Sequence, residues 1–323
     1  MRPTRPFALA TLLALLLPGA AWAQSFDLAI TVDDLPAHGQ LPPNMTRLGI
    51  AESHLQTLKA HGVPEAFGFV NAAKIDRSAD GAAVLDAWRA AGQPLGNHTW
   101  SHLNLARAPS LAAWQADVEA GEPAVAQRMQ GANWHYLRLP FLAAGDRFPA
   151  ALDYLRGRGY QVADVSVGFS DWSYTDAYAR CVRNGDTATI AAMKSQYLAA
   201  VERGIEQMKA DSLRVYGRII PQVLLTHIGG WSAVTLADVL ARLDQAGARY
   251  VTLAQAQADP AYAVPGGGNL VERTARQRGI ALDTLARTDQ AAEIDLDAVC
   301  RTPTVQQIFV NTRPTVKVET SRA

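Results

Sequence analysis

Cysteine occurs only twice in this chain of 323 residues, at Cys181 and Cys300, and neither sign of charge is in excess, since 30 Lys and Arg meet 30 Asp and Glu. Two cysteines allow a single intramolecular bridge. Balanced charge gives nucleic acid or an anionic membrane nothing to be drawn to. No low-complexity segment and no internal repeat breaks the chain, which argues against linkers, arrays and solenoids. A G-x-S-x-G elbow is also missing, and neither cysteine follows a strand-like run with a histidine partner, so covalent nucleophilic catalysis is disfavoured.

What is present begins with residues 1–23, which differ from the rest. Arg2 and Arg5 precede an apolar run over residues 7–17, followed by Pro18 and the small-residue site Ala21-Trp22-Ala23. A basic head, a short apolar core and an A-x-A end describe a secretory signal peptide, and the core is too short to span a bilayer. The expectation is cleavage after Ala23, export to the periplasm or beyond, and no membrane insertion afterwards. Losing Arg2 and Arg5 leaves a slight acidic excess. Export would let Cys181 and Cys300 pair; burial as two free thiols is the other reading.

The remaining chain suits a globular protein, being 49% hydrophobic and 19% charged overall. Strand-like runs are expected at 26–32, 66–70, 93–96, 135–139, 161–167, 221–226 and 249–253. Helical patterns lie between them near 48–61, 80–91, 111–129, 148–158, 188–212 and 235–246, several ending at a glycine. This alternation implies α/β architecture with a mainly parallel sheet, as a barrel or as a doubly wound sheet. The division expected is a main domain over 24–260 and an extension over 261–323 that packs on it and carries one helical stretch near 269–288.

Titratable residues collect where these strands end. Asp33 and Asp34 follow the first, His98 and His102 the third, Arg138 ends the fourth, Asp171 and Trp172 follow the fifth, and His227 ends the sixth. In a parallel α/β fold those ends share the face on which sites are built. Were His98 and His102 on a helical turn, their i, i+4 spacing would put both on one side of a divalent ion. A carboxylate from another strand end would complete a His-His-carboxylate set with an open position, as in catalytic sites. His54, His61 and His135 read as surface or internally satisfied residues, whereas His38 lies close enough to the acid pair to reach the pocket rim as a substrate contact.

Taken in order, "TVDD", "HTWSH", "RLPF", "SDW" and "LTH" resemble the five motifs of the polysaccharide deacetylase family, the NodB-homology domains of carbohydrate esterase family four. That resemblance covers about residues 26–255 and implies a distorted (β/α) barrel of about seven strands. It also implies one divalent metal ion, zinc first with cobalt, nickel or manganese as alternatives, and hydrolysis of acetyl groups on a glycan. By the same resemblance Asp34, His98 and His102 would be metal ligands, Asp33 the base, and Arg138 the holder of that base. Asp171 would pair with His227, the acid; Phe141 would offer a backbone N–H to the oxyanion, and Trp172 and Leu225 would wall the acetyl pocket. Val32, Leu35-Pro36, Phe141 and Gly168 depart from the usual motifs without removing a ligand or a proton carrier. Hydrolysis of a small non-sugar amide is a second reading, favoured if residues 173–221 or the tail cap the pocket. A catalytically silent glycan-binding protein is a third.

Overall fold

In a computed structural model of the chain, residues 25–283 and 293–301 are described. The expected signal peptide at 1–23 lies outside them, as do residues 284–288 of the expected C-terminal helical stretch. The elements run β1 (Phe26–Leu35), α1 (Arg47–Ala60), β2 (Ala66–Val70), α2 (Gly81–Ala90), β3 (Leu95–Asn97), α3 (Leu111–Met129), β4 (Tyr136–Leu137), α4 (Phe148–Gly157) and β5 (Gln161–Val162). Then follow β6 (Val167–Gly168), α5 (Asp171–Asn184), α6 (Thr187–Tyr216), β7 (Gln222–His227), α7 (Gly230–Gln245), β8 (Ala248–Tyr250), α8 (Leu253–Gln257) and α9 (Leu270–Arg278). No helix among the described residues is long and apolar enough to cross a membrane.

The strands form one curled parallel sheet in the order β5-β4-β3-β2-β1-β7-β6, with β8 paired to β1. β1 is central because nearly all of it is buried, and an apolar strand covered on both faces is what a parallel sheet requires. Its register against β7 runs from Leu28↔Gln222 to Asp33↔His227, which sets those two side chains level at the same sheet end. The fully buried Trp88 and Trp231 anchor the main layer between sheet and helices. Side-chain caps begin several helices: Thr46 accepts from Gly49 N, Ser110 from Ala113 N and Asp186 from Thr189 N.

The α/β half-barrel agrees with the sequence reading, and two segments depart from it. The run 161–167 is two short strands, β5 and β6, which are also the two free edges of the curled sheet. Residues 163–166 bridge that seam, so one apolar run serves opposite edges. A further helix, α5, starts at Asp171 itself, where a strand end followed by a long connection was expected. Cys181 on α5 and Cys300 form a disulfide across 119 residues, so the two are paired and not free thiols. Of the expected 269–288 stretch, Leu270–Arg278 is helical and ends at the left-handed Gly279.

Candidate metal and acid-base site

A cavity of about 290 Å³ opens at the C-terminal strand ends, lined by Asp33, Asp34, His38, His98, His102, Phe141, Leu142, Trp172, Leu225 and His227. Every residue singled out from the motifs lines this cavity or stands directly behind it; Arg138 and Asp171 are the two behind. Phe141 and Trp172 are its most exposed walls, at 68% and 55%. Residues 173–221 contribute nothing to the lining and so form no cap over the pocket, because α5 and α6 pack their apolar faces on the core.

His98 follows β3, but no helical turn carries the pair. Thr99 and His102 sit at φ 62° and 66°, in the left-handed region, and residues 98–104 are loop. The loop is held from within: Asn97 Oδ1 accepts from Thr99 N at 2.8 Å and Thr99 Oγ1 from Leu103 N at 3.0 Å. It also lies close on α3, where Gly121 leaves room; a Cβ there would stand 2.8 Å from Asn97 Oδ1. The left-handed path brings the two imidazoles together edge to face, 4.8 Å between centroids.

Asp34, His98 and His102 each offer a ligand atom, all within 4.8 Å of one another. His98 Nδ1 donates to Arg138 O at 2.8 Å, which turns Nε2 inward with a free lone pair. Asp34 Oδ2 accepts from His38 Nδ1 at 2.7 Å. Its Oδ1 is buried with no hydrogen bond, facing His102 Nε2 at 3.5 Å and His98 Nε2 at 3.8 Å, with Lys74 Nζ 3.0 Å away. Burial holds both imidazoles below their ordinary range, hence neutral and able to ligate. Burial pushes Asp34 up, yet the His38 hydrogen bond and the charge of Lys74 outweigh it and keep the carboxylate ionised. Two neutral nitrogens and an ionised oxygen free of hydrogen bonds fit a divalent ion such as zinc.

Asp33 lies between this group and His227. Arg138 is fully buried and donates from Nη1 to both Asp33 oxygens at 3.2 and 3.3 Å, from Nη2 to Thr31 Oγ1 and from Nε to Ala163 O. Burial nevertheless raises Asp33 to about 6, against the opposing pull of Arg138 and His227. On the far side Asp171 Oδ1 accepts from His227 Nδ1 at 2.9 Å, while Oδ2 accepts from Thr226 Oγ1 and His227 N, both at 2.7 Å. Burial would depress His227, but Asp171, then Asp33 and Asp34, carry it to about 9. That imidazole is therefore cationic at neutral pH, and with Nδ1 committed its proton for transfer is on Nε2.

Sequence reasoning missed Lys74 and the link from His38 to Asp34. His38 does line the pocket, but its strong contact is to the carboxylate, with Nε2 3.3 Å from Trp172 O. Its spacing of four residues from Asp34 was the available signal; Lys74 left none. His54 is fully buried between Ile50 O and Ser232 Oγ, and His61 binds Asp244, both away from the site.

Residues 23–163 match the polysaccharide deacetylase family; the match ends before Asp171, Leu225 and His227. No curated protein matches the sequence. Among solved structures, a mutant of a CE4 family pseudoenzyme of Bacillus anthracis with restored enzymatic activity is 15% identical, with a TM-score of 0.50 over 72% of this chain and 68% of that one. The chitin deacetylase of the fungal pathogen Colletotrichum lindemuthianum is 20% identical, TM-score 0.49, over 72% and 88% of the two chains. A family 4 carbohydrate esterase from Streptomyces lividans, in complex with acetate, is 17% identical, TM-score 0.47, over 72% and 95%.

Proposed function

Since residues 23–163 match the polysaccharide deacetylase family, we propose that the protein is an exported, metal-dependent hydrolase that removes acetyl groups from a glycan. The observation that carries this reading is the buried Asp34 Oδ1, ion-paired with Lys74 Nζ at 3.0 Å and facing two neutral imidazole nitrogens, with Asp33 beside it and a cationic His227 opposite. Binding alone needs no such division of protonation states, so the silent glycan-binding reading has no support in the pocket. The small-amide reading asked for a cap from residues 173–221 or the tail; neither residues 173–221 nor the described residues of the tail line the pocket.

Asp34, His98 and His102 would hold the ion; when bound, it supplies Lewis acidity toward the acetyl carbonyl and acidifies a water. Asp33 takes the proton of the attacking water, its carboxylate fixed by the two contacts from Arg138. Water attack at the carbonyl carbon forms the new C–O bond and places negative charge on the carbonyl oxygen, beside the backbone of Phe141. His227 Nε2 then donates its proton to the leaving nitrogen, or to oxygen in an ester, as the C–N or C–O bond breaks, releasing acetate and the free sugar amine or hydroxyl. Leu225 and Trp172 wall the apolar space that takes the acetyl methyl group.

The test is acetate release from chitin oligomers, peptidoglycan and acetylated xylan, each with and without exhaustive chelation. Release from at least one polymer that chelation stops and added divalent ion restores is the expected result. Release that survives chelation would overturn the mechanism; silence across the panel would return the site to small amides.

A further inference from the structure

Asp164 is buried, at 2% exposure, and does not line the catalytic cavity. It stands on residues 163–166, the link across the seam between β5 and β6. Its partner comes from the C-terminal segment: Arg273 Nη2 on α9 donates to Asp164 Oδ2 at 2.9 Å, and Gly266 N to Oδ1 at 3.3 Å. The guanidinium also donates to Gly267 O at 2.9 Å and to Val264 O at 3.3 Å. One buried acid thus fixes Arg273, and Arg273 folds residues 264–268 into a strap. Asn269 Nδ2 donating to Ser166 O at 2.6 Å and Leu270 N to Val165 O at 2.7 Å stitch the end of that strap to the seam.

The strap lies on the catalytic wall. Gly268 N donates to Leu142 O at 2.8 Å, and a Cβ on Gly267 would stand 2.6 Å from that same oxygen and 2.7 Å from Ala144 Cβ. Only glycine lets the two backbones approach so closely. Phe141 and Leu142, which line the cavity, are both left-handed, at φ 59° and 51°. Two consecutive bulky residues hold that conformation only where their surroundings impose it.

We infer that Arg273 is a positioning residue of the active site: through Gly267 it presses the 264–268 strap onto Leu142 and keeps the turn at Phe141 and Leu142 left-handed. Its kinetic consequence rests on the deacetylase reading; its structural consequence does not. The C-terminal segment is accordingly part of the catalytic apparatus and not a passive appendage.

Arg273→Lys keeps a cation opposite Asp164 but gives up the fork to Gly267 and Val264, whereas Gly267→Ala keeps the ion pair and forces the strap off Leu142. Both are compared with wild type in the full chain by amide hydrogen exchange across residues 139–144, metal content, kcat and KM. Exchange in that segment should rise at least about tenfold and kcat fall about ten- to a hundredfold, with KM within about threefold and metal content unchanged, as expected for a misplaced reacting wall. A lysine variant with wild-type exchange and kcat would show that Arg273 merely neutralises Asp164, and would overturn the inference. Unaltered exchange at 139–144 in Gly267→Ala would overturn it as well. Should wild type release no acetate from any polymer, the deacetylase reading fails, and the exchange measurement alone decides the strap.

Discussion

The two sides of the pocket use the same residue types to opposite ends. On one side Asp34 faces His98 and His102; on the other Asp171 faces His227. The first carboxylate stays 3.5 to 3.8 Å from its imidazoles without hydrogen bonding them, and the second bonds its imidazole at 2.9 Å. His98 spends Nδ1 on a backbone carbonyl, which carries no net charge, so burial decides and the ring stays neutral. His227 spends Nδ1 on a carboxylate, whose charge outweighs burial and raises it to about 9. The partner of the remote nitrogen therefore determines whether a buried histidine is neutral, as a metal ligand must be, or cationic, as an acid must be.

The comparison breaks most severely at His98. His98→Ala should leave the protein without bound metal by elemental analysis and cut acetate release by more than the roughly thousandfold cost of losing an oxyanion donor. Asp171→Asn attacks the other side: kcat should fall about a hundred- to ten-thousandfold while metal content stays at wild type. The pH-rate profile gives the sign. A raised His227 stays protonated below about 9, so activity requiring that proton is lost only as pH rises through about 9. Without the Asp171 charge, burial dominates and the alkaline limb moves to lower pH. Replacing His38 frees Asp34 Oδ2 and should weaken metal affinity about ten- to a hundredfold in a chelator competition, with activity returning at saturating metal. Trp172→Ala, which trims a wall on the acid side, should do least: KM for a soluble oligomer rising about fivefold with the alkaline limb in place.

Asp33, Asp34, His98, His102, Arg138, Asp171 and His227 were legible in the sequence because parallel strands deliver their C-terminal ends to one face, so position along the chain translates into position in space. The geometry between the histidines was not. An i, i+4 spacing reads as helix, and only the Asn97 and Thr99 contacts, with the room left by Gly121, select the left-handed loop. α5 escaped notice because its first turn carries Asp171 and Trp172 of the "SDW" motif, and Ser170, at the N-cap, makes no side-chain cap. Splitting 161–167 depends on curvature of the whole sheet, which no local pattern records. Lys74 and Arg273 act through partners far along the chain, and a single sequence gives no sign of such pairings.

The pairing of β1 with β7 has a temporal side. Thr31 donates to Leu224 O across 193 residues, and the Asp33↔His227 level belongs to that same ladder. Contacts so distant in sequence close late, after the loop entropy between them has been overcome. Asp34, His98 and His102 all lie within the first third of the chain, but the proposed acid, His227, joins them only when β7 docks. A truncated product ending before Gln222 would hold the proposed ligand residues and lack His227, so under the proposed mechanism turnover reports only chains that have finished folding.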